Sequence, residues 1–123
     1  MCGIAGELNW TANRVAVDAL ASGIAHRGPD DRGLWSSPNG VCVFGHARLS
    51  IVDLSPAGHQ PILHPLTGNA IVFKGEIYNF QALRNDCESS ADVFKSRSDT
   101  EVLLALYRIL KSSKAMWSAC YPS

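Results

Sequence analysis

The second residue of the chain is a cysteine, within the start MCGIAG. Removal of Met1 would leave Cys2 with a thiol and a free α-amine on one carbon skeleton. That amine has an intrinsic pKa of about 8, so a useful fraction is unprotonated at neutral pH and can take the thiol proton directly or through one water. A nucleophile that carries its own general base is the logic of N-terminal-nucleophile hydrolases. Taken alone, a cysteine at this position is more often incidental. The other cysteines, Cys42, Cys87 and Cys120, form no CxxC pair, and their spacing does not resemble a zinc site. Cys42 lies in an apolar run and reads as a small core residue. In a reducing compartment the default is four free thiols. His46, His59 and His64 sit in or beside loops with no supporting cysteine or carboxylate spacing, so no metal is expected.

The elements that must position Cys2 can be read from pattern. Residues 2–8 read as a strand in which Gly3 and Gly6 allow close approach. Residues 13–25 repeat Val15, Val17, Leu20 and Ile24 at helical spacing, with Asn13 as a possible N-cap. HRGPDDRG, residues 26–33, reads as a loop. Residues 34–37 and 41–49 flank Pro38-Asn39-Gly40 and predict a β-hairpin, because Asn-Gly is a strong turn signal and β-branched and aromatic residues flank it. Residues 53–68 predict a long ordered loop, which in a compact domain is usually functional. Residues 70–73 read as a buried strand, 78–84 as one or two helical turns, and 85–98 as irregular. Residues 100–110 predict a helix, with Asp99 placed to cap it.

The 123 residues suffice for one small domain. Eleven basic residues balance eleven acidic ones, which gives no electrostatic reason to expect nucleic acid or an anionic membrane as partner. No apolar run approaches a membrane span, and the start has no signal-peptide character. The expectation is a cytoplasmic protein.

Five stretches occur in order: MCGIAG, HRGPDD, HARLSIVDLSPAGHQP, VFKGEIYNF and SDTEVLLALY. Together they resemble the N-terminal, class-II glutamine amidotransferase domain of asparagine synthetases. The resemblance implies an α+β fold, the αββα sandwich of N-terminal-nucleophile hydrolases, here incomplete. It implies glutamine as substrate, with Cys2 attacking its side-chain amide to form a glutamyl thioester. Hydrolysis would release glutamate and ammonia for asparagine synthesis. In that reading Arg48 offers a planar fork for the substrate carboxylate. Asp99 and Glu76 receive the α-ammonium, and Leu49, Ser50, Ile51 and Val52 line the pocket. His26, Arg27 and Asp30 would form a structural loop near the site.

The tetrahedral oxyanion needs preorganised donors. The family motif NGEIYN reads Lys74-Gly75-Glu76-Ile77-Tyr78-Asn79 here. Gly75 keeps its backbone N–H, whereas the side-chain amide is replaced by a flexible, strongly hydrated ammonium, with Glu76 as its nearest candidate partner. Lys74 is therefore a doubtful oxyanion donor.

The pattern weakens after Tyr107. Residues 2–110 read as a partial amidotransferase domain and 111–123 as a divergent tail, as in a truncated chain. Missing strands would leave open sheet edges or an apolar face. No cofactor is expected in this chain; ATP and Mg are expected only for the absent synthetase domain, and a separate synthetase chain stays open as a partner beside the glutamine substrate. Two alternatives stay open. One is a catalytically impaired fragment or glutamine-binding remnant. The other is an amidotransferase of another pathway.

Overall fold

The computed structural model describes residues 2–50, 55–89 and 93–112. It is an α+β arrangement that begins with strand β1 (Gly3–Leu8), helix α1 (Arg14–Gly23), and strands β2 (Asp31–Ser36) and β3 (Cys42–Arg48). The three strands form an antiparallel sheet in the order β1-β3-β2. The β2–β3 connection turns where the Asn-Gly pair predicts it. Gly40 takes φ 73°, a left-handed conformation that costs a glycine little. The Ser37 amide donates to the Cys42 carbonyl at 2.8 Å and closes the hairpin.

Side chains alternate across the sheet, so each of its faces has a separate partner. Val43, Gly45 and Ala47 face α1, which buries Val17 and Ala21 against them. Asn13 caps that helix, its side-chain oxygen accepting from the Ala16 amide at 3.0 Å; such a cap contributes about 1 kcal/mol. Arg32 of β2 pairs with Asp18 of α1 on the same side. The helix ends at Gly23, and Ala25–Arg27 tighten into a 3-10 turn.

The opposite face carries Phe44, His46 and Arg48 of β3, with Asp31, Gly33 and Trp35 of β2 and Ile4 and Leu8 of β1. Near Arg48 it is covered: a Cβ on Gly33 would overlap the Gln60 carbonyl, and one on Gly58 would overlap the Arg48 guanidinium. Toward the hairpin turn it is open. Leu8 is 81% exposed and Ile4 46%, beside a tilted Trp35–Phe44 ring pair at 5.8 Å.

The second part holds strands β4 (Ile62–Leu63) and β5 (Ala70–Ile71), paired antiparallel, and helices α2 (Phe80–Glu88) and α3 (Asp99–Ser112). Helix α2 packs on α3, and α3 reaches β5. Among the described residues no helix is long and apolar enough to cross a membrane.

Several boundaries differ from expectation for tertiary reasons. Strand β2 starts at Asp31, inside the expected loop 26–33, because Asp31, Arg32 and Gly33 pair with Arg48, Ala47 and His46. Within the expected loop 53–68, Pro56–Gly58 form a 3-10 turn and β4 pairs with β5. The expected strand 70–73 keeps its ladder only through Ile71, since the Phe73 amide donates to the Gln60 side chain at 2.7 Å. Helix α2 extends into the expected irregular stretch. Cys87 is buried, and Arg84 bonds Glu88 at 3.1 Å, the Ser96 carbonyl at 2.6 Å and the face of Phe94. His46 lies within β3, inside the expected strand 41–49, while Cys42, expected as a core residue, is only partly buried.

Candidate active site

The β1–β3 register sets the site. Gly3 lies opposite Ala47, so Cys2 falls beside the end of β3. The Leu49 amide donates to the Cys2 sulfur at 3.2 Å, and the Leu49 carbonyl lies 3.5 Å from it. The thiol is thus held against backbone 47 residues away in sequence.

Arg48 is the last residue of β3 and is buried. Its Nη1 donates to the Ser55 carbonyl at 2.9 Å, and the bare Gly58 leaves room for its other nitrogen. Asp30 fastens the same strand end: its amide donates to the Arg48 carbonyl at 3.0 Å, and its carboxylate accepts from the Ser50 amide at 2.8 Å.

Asp99 opens α3, but it is not the cap. The N-cap is Ser98, whose Oγ accepts from the Thr100 amide at 3.1 Å. The Asp99 carboxylate instead accepts from the Ile77 amide at 3.0 Å, joining α3 to the residues after β5. A carboxylate in the first turn also suits the helix dipole.

These segments meet in one pocket of about 360 Å³, lined by Cys2, Arg48, Leu49, Lys74, Gly75, Glu76 and Asp99. Two cations and two carboxylates from distant segments therefore surround the thiol's cavity. Ser50, expected in the lining, is not among these residues; its amide is taken by Asp30. Ile51 and Val52 lie outside the described residues. Glu76, the nearest candidate partner for Lys74, makes no ion pair with it among the described residues. Among the described residues Cys2, Cys42 and Cys87 form no disulfide with one another, and burial pushes the Cys42 thiol up. Cys120 lies outside the described residues. Among the described residues no cluster of three or more His, Cys, Asp or Glu side chains is placed to hold a metal.

Sequence reasoning missed Gly58, Gln60, Phe73, Tyr78, Ser98 and Thr100, which also line the pocket. Gln60 had a signal: a polar, amide-bearing residue inside the loop of HARLSIVDLSPAGHQP, where burial would require partners. Behind the pocket His46 is fully buried; among the described residues neither ring nitrogen has a partner at good hydrogen-bond geometry, and the Phe73 backbone is the polar group that bears on it. Its pKa is pulled down to about 4, chiefly by burial. The Phe73 backbone opposes this, Arg48 reinforces it, Asp31 opposes it, and His59 reinforces it. His59 itself sits 2.5 Å from the Asp31 carboxylate.

The comparisons with known proteins bear directly on this pocket. The profile of the glutamine amidotransferase domain matches residues 1–117. Asparagine synthetase (glutamine-hydrolyzing) 1 of Bacillus subtilis is 39% identical over 121 residues, 94% of this chain and 19% of that protein. Asparagine synthetase B of Escherichia coli is 38% identical over 112 residues, 88% of this chain and 20% of that protein. An amidase, chry2, of Gibberella zeae is 46% identical over 87 residues, 69% of this chain and 12% of that protein. The chain thus spans no more than about a fifth of the length of these three relatives. With the match running through every segment that contributes to the pocket, the chain belongs to the glutamine amidotransferase domain family and is similar to the asparagine synthetases within it.

Proposed function

We propose that this chain hydrolyses glutamine to glutamate and ammonia through a thioester on Cys2. The observation that supports it is the convergence of Cys2, Arg48, Gly75 and Asp99 on one pocket. In this reading Arg48 pairs with the α-carboxylate, and Asp99 with Glu76 receives the α-ammonium. The α-amine of Cys2, freed by loss of Met1, takes the thiol proton. Sulfur adds to the amide carbon, and the oxyanion forms beside the Gly75 N–H and Lys74. Ammonia leaves with the proton from the α-amine. Water then adds to the thioester, and glutamate departs as the thiol is restored.

The proposal extends to the fold. The order α1, three-stranded sheet, two-stranded sheet, α3 fits the αββα layering of N-terminal-nucleophile hydrolases. Cys2 and Cys42 pair with no other cysteine among the described residues, which fits a reducing compartment such as the cytoplasm. Delivery of the ammonia to an aspartate-derived acceptor would need ATP, Mg and a synthetase region, which we assign to no residue of this chain. A second reading, amide hydrolysis serving another pathway, is favoured by the 46% identity to the amidase chry2.

Diazo-oxo-norleucine, a glutamine analogue, tests the reading by intact mass and peptide mapping. The expected result is one adduct, on Cys2, in protein that lacks Met1. Adducts confined to Cys42, Cys87 or Cys120, or retention of Met1, would overturn it.

A further inference from the structure

The pocket's walls belong to different parts of the fold. Cys2, Arg48 and Leu49 sit at the end of the β1-β3-β2 sheet. Lys74, Gly75 and Glu76 follow β5, and Ser98, Asp99 and Thr100 begin α3. Among the described residues the two sheets share no ladder. Backbone strand pairing therefore does not set the distance from the thiol to the groups across the pocket.

One side chain spans the gap. The Gln60 Oε1 accepts from the Phe73 amide at 2.7 Å, one residue before Lys74. Its Nε2 donates to the Thr100 hydroxyl at 3.1 Å, one residue after Asp99. Its backbone carbonyl occupies the space where a Cβ on Gly33 would stand, so Gln60 is seated on β2. Gln60 and Thr100 are both buried. Two residues before Gln60, Gly58 lies against the Arg48 guanidinium.

We infer that Gln60 is the positioning residue that holds the Gly75 and Asp99 walls in register with Cys2 and Arg48. The inference rests on the glutaminase reading of the same pocket. Its chemistry explains the residue type. An amide carries an acceptor and two donors on one planar head, so it serves a backbone N–H and a hydroxyl at once. A carboxylate would keep the Phe73 bond but donate nothing to Thr100. An alanine would serve neither. Gln60 touches no reacting atom in this account; it acts through residues 73–76 and 98–100.

The test compares two reagents on Cys2 in the full chain. Iodoacetamide needs only an accessible thiol, whereas diazo-oxo-norleucine needs the glutamine pocket in register. Misplacing a reacting group by an ångström can cost roughly 10²-fold in rate. Gln60→Ala should slow labelling by the analogue by about that factor while iodoacetamide labelling stays within about twofold. Gln60→Glu, which retains one of the two bonds, should recover part of the loss. Thr100→Val removes only the α3 bond and should give a smaller loss. Combined with Gln60→Ala it should add nothing, since both act through one contact.

Parallel loss of both labelling rates in Gln60→Ala would leave the decision to Thr100→Val. If that variant slows both reagents equally, or neither, the positioning role is overturned. Multiplicative losses in the double variant would overturn it as well. Failure of the analogue to label wild-type Cys2, with iodoacetamide labelling intact, would instead overturn the glutaminase reading and this inference with it.

Discussion

The two parts of the molecule are held together by different forces. In the β1-β3-β2 sheet each strand is fixed by continuous backbone pairing over six residues or more, and α1 locks one face. In residues 55–89 and 93–112 the only ladder is two residues long on each strand. Side chains take over: Gln60 on Phe73 and Thr100, Asp99 on Ile77, Arg84 on Ser96, and Glu101 on the Lys95 and Ser96 amides. Backbone ladders tolerate most substitutions, because every residue carries the same N–H and C=O. Side-chain braces depend on residue identity, and loss of one partner leaves a buried group unsatisfied. The proposed nucleophile is thus mounted on the part least sensitive to sequence, and the proposed oxyanion and ammonium contacts on the part most sensitive to it.

The contrast is sharpest at the reacting atoms. Cys2→Ala removes the sulfur and leaves the β1–β3 ladder intact. Glutamate release should fall to the level of a protein-free control, with an unchanged circular dichroism spectrum. Turnover above that control would mean that the chemistry does not pass through Cys2.

On the braced side, Lys74→Asn should raise glutamate release. Loss of one oxyanion donor costs roughly 10²–10³ in rate, and a neutral amide of fixed geometry suits the developing charge better than a mobile ammonium. Equal turnover in the two proteins, both above the Cys2→Ala variant, would make Lys74 a competent donor. Turnover at the Cys2→Ala level in both would favour a glutamine-binding remnant.

His46 lies where the two parts press together, and it gives their contact a pH dependence. Its folded pKa, about 4, is depressed from 6.5, so the unfolded chain binds the proton first as pH falls. The contribution to stability is full above 6.5 and is lost as pH drops toward 4, with a span of up to about 3 kcal/mol. Urea midpoints measured across this window should fall with pH, and His46→Leu should flatten that part of the slope. An unchanged slope in the variant would place the titration elsewhere.

The smallest effect belongs to the far side of the sheet. Asn13→Ala removes the α1 cap and should cost about 1 kcal/mol of stability. Because α1 packs on the face away from Arg48, the labelling rate of Cys2 should not change. A slower rate would show that the sheet transmits strain between its faces.

About half of this architecture is legible in local sequence. The Asn39-Gly40 turn, the Asn13 cap and the helical core of α3 follow from preferences acting over a few residues, and the structure has them. The site residues were marked differently, by resemblance to a family and not by local preference. Cys2, Arg48, Leu49, Lys74, Gly75, Glu76 and Asp99 were marked by motif and share one pocket. Ser50 was marked for the same pocket, but its amide goes to Asp30.

What local pattern could not supply has one physical origin. Asp31 joins β2 because Arg48 is opposite it, and Asp99 gives its carboxylate to Ile77 while Ser98 caps the helix. Gln60 is a polar loop residue by composition and a buried brace by contact, with its partner Thr100 40 residues away. Composition and periodicity report the neighbours a residue has along the chain. The choice between solvent and a distant partner is made only when loops close and burial removes water, so residue types with several hydrogen-bonding options, such as Ser, Asp and Gln, are assigned by the tertiary structure alone.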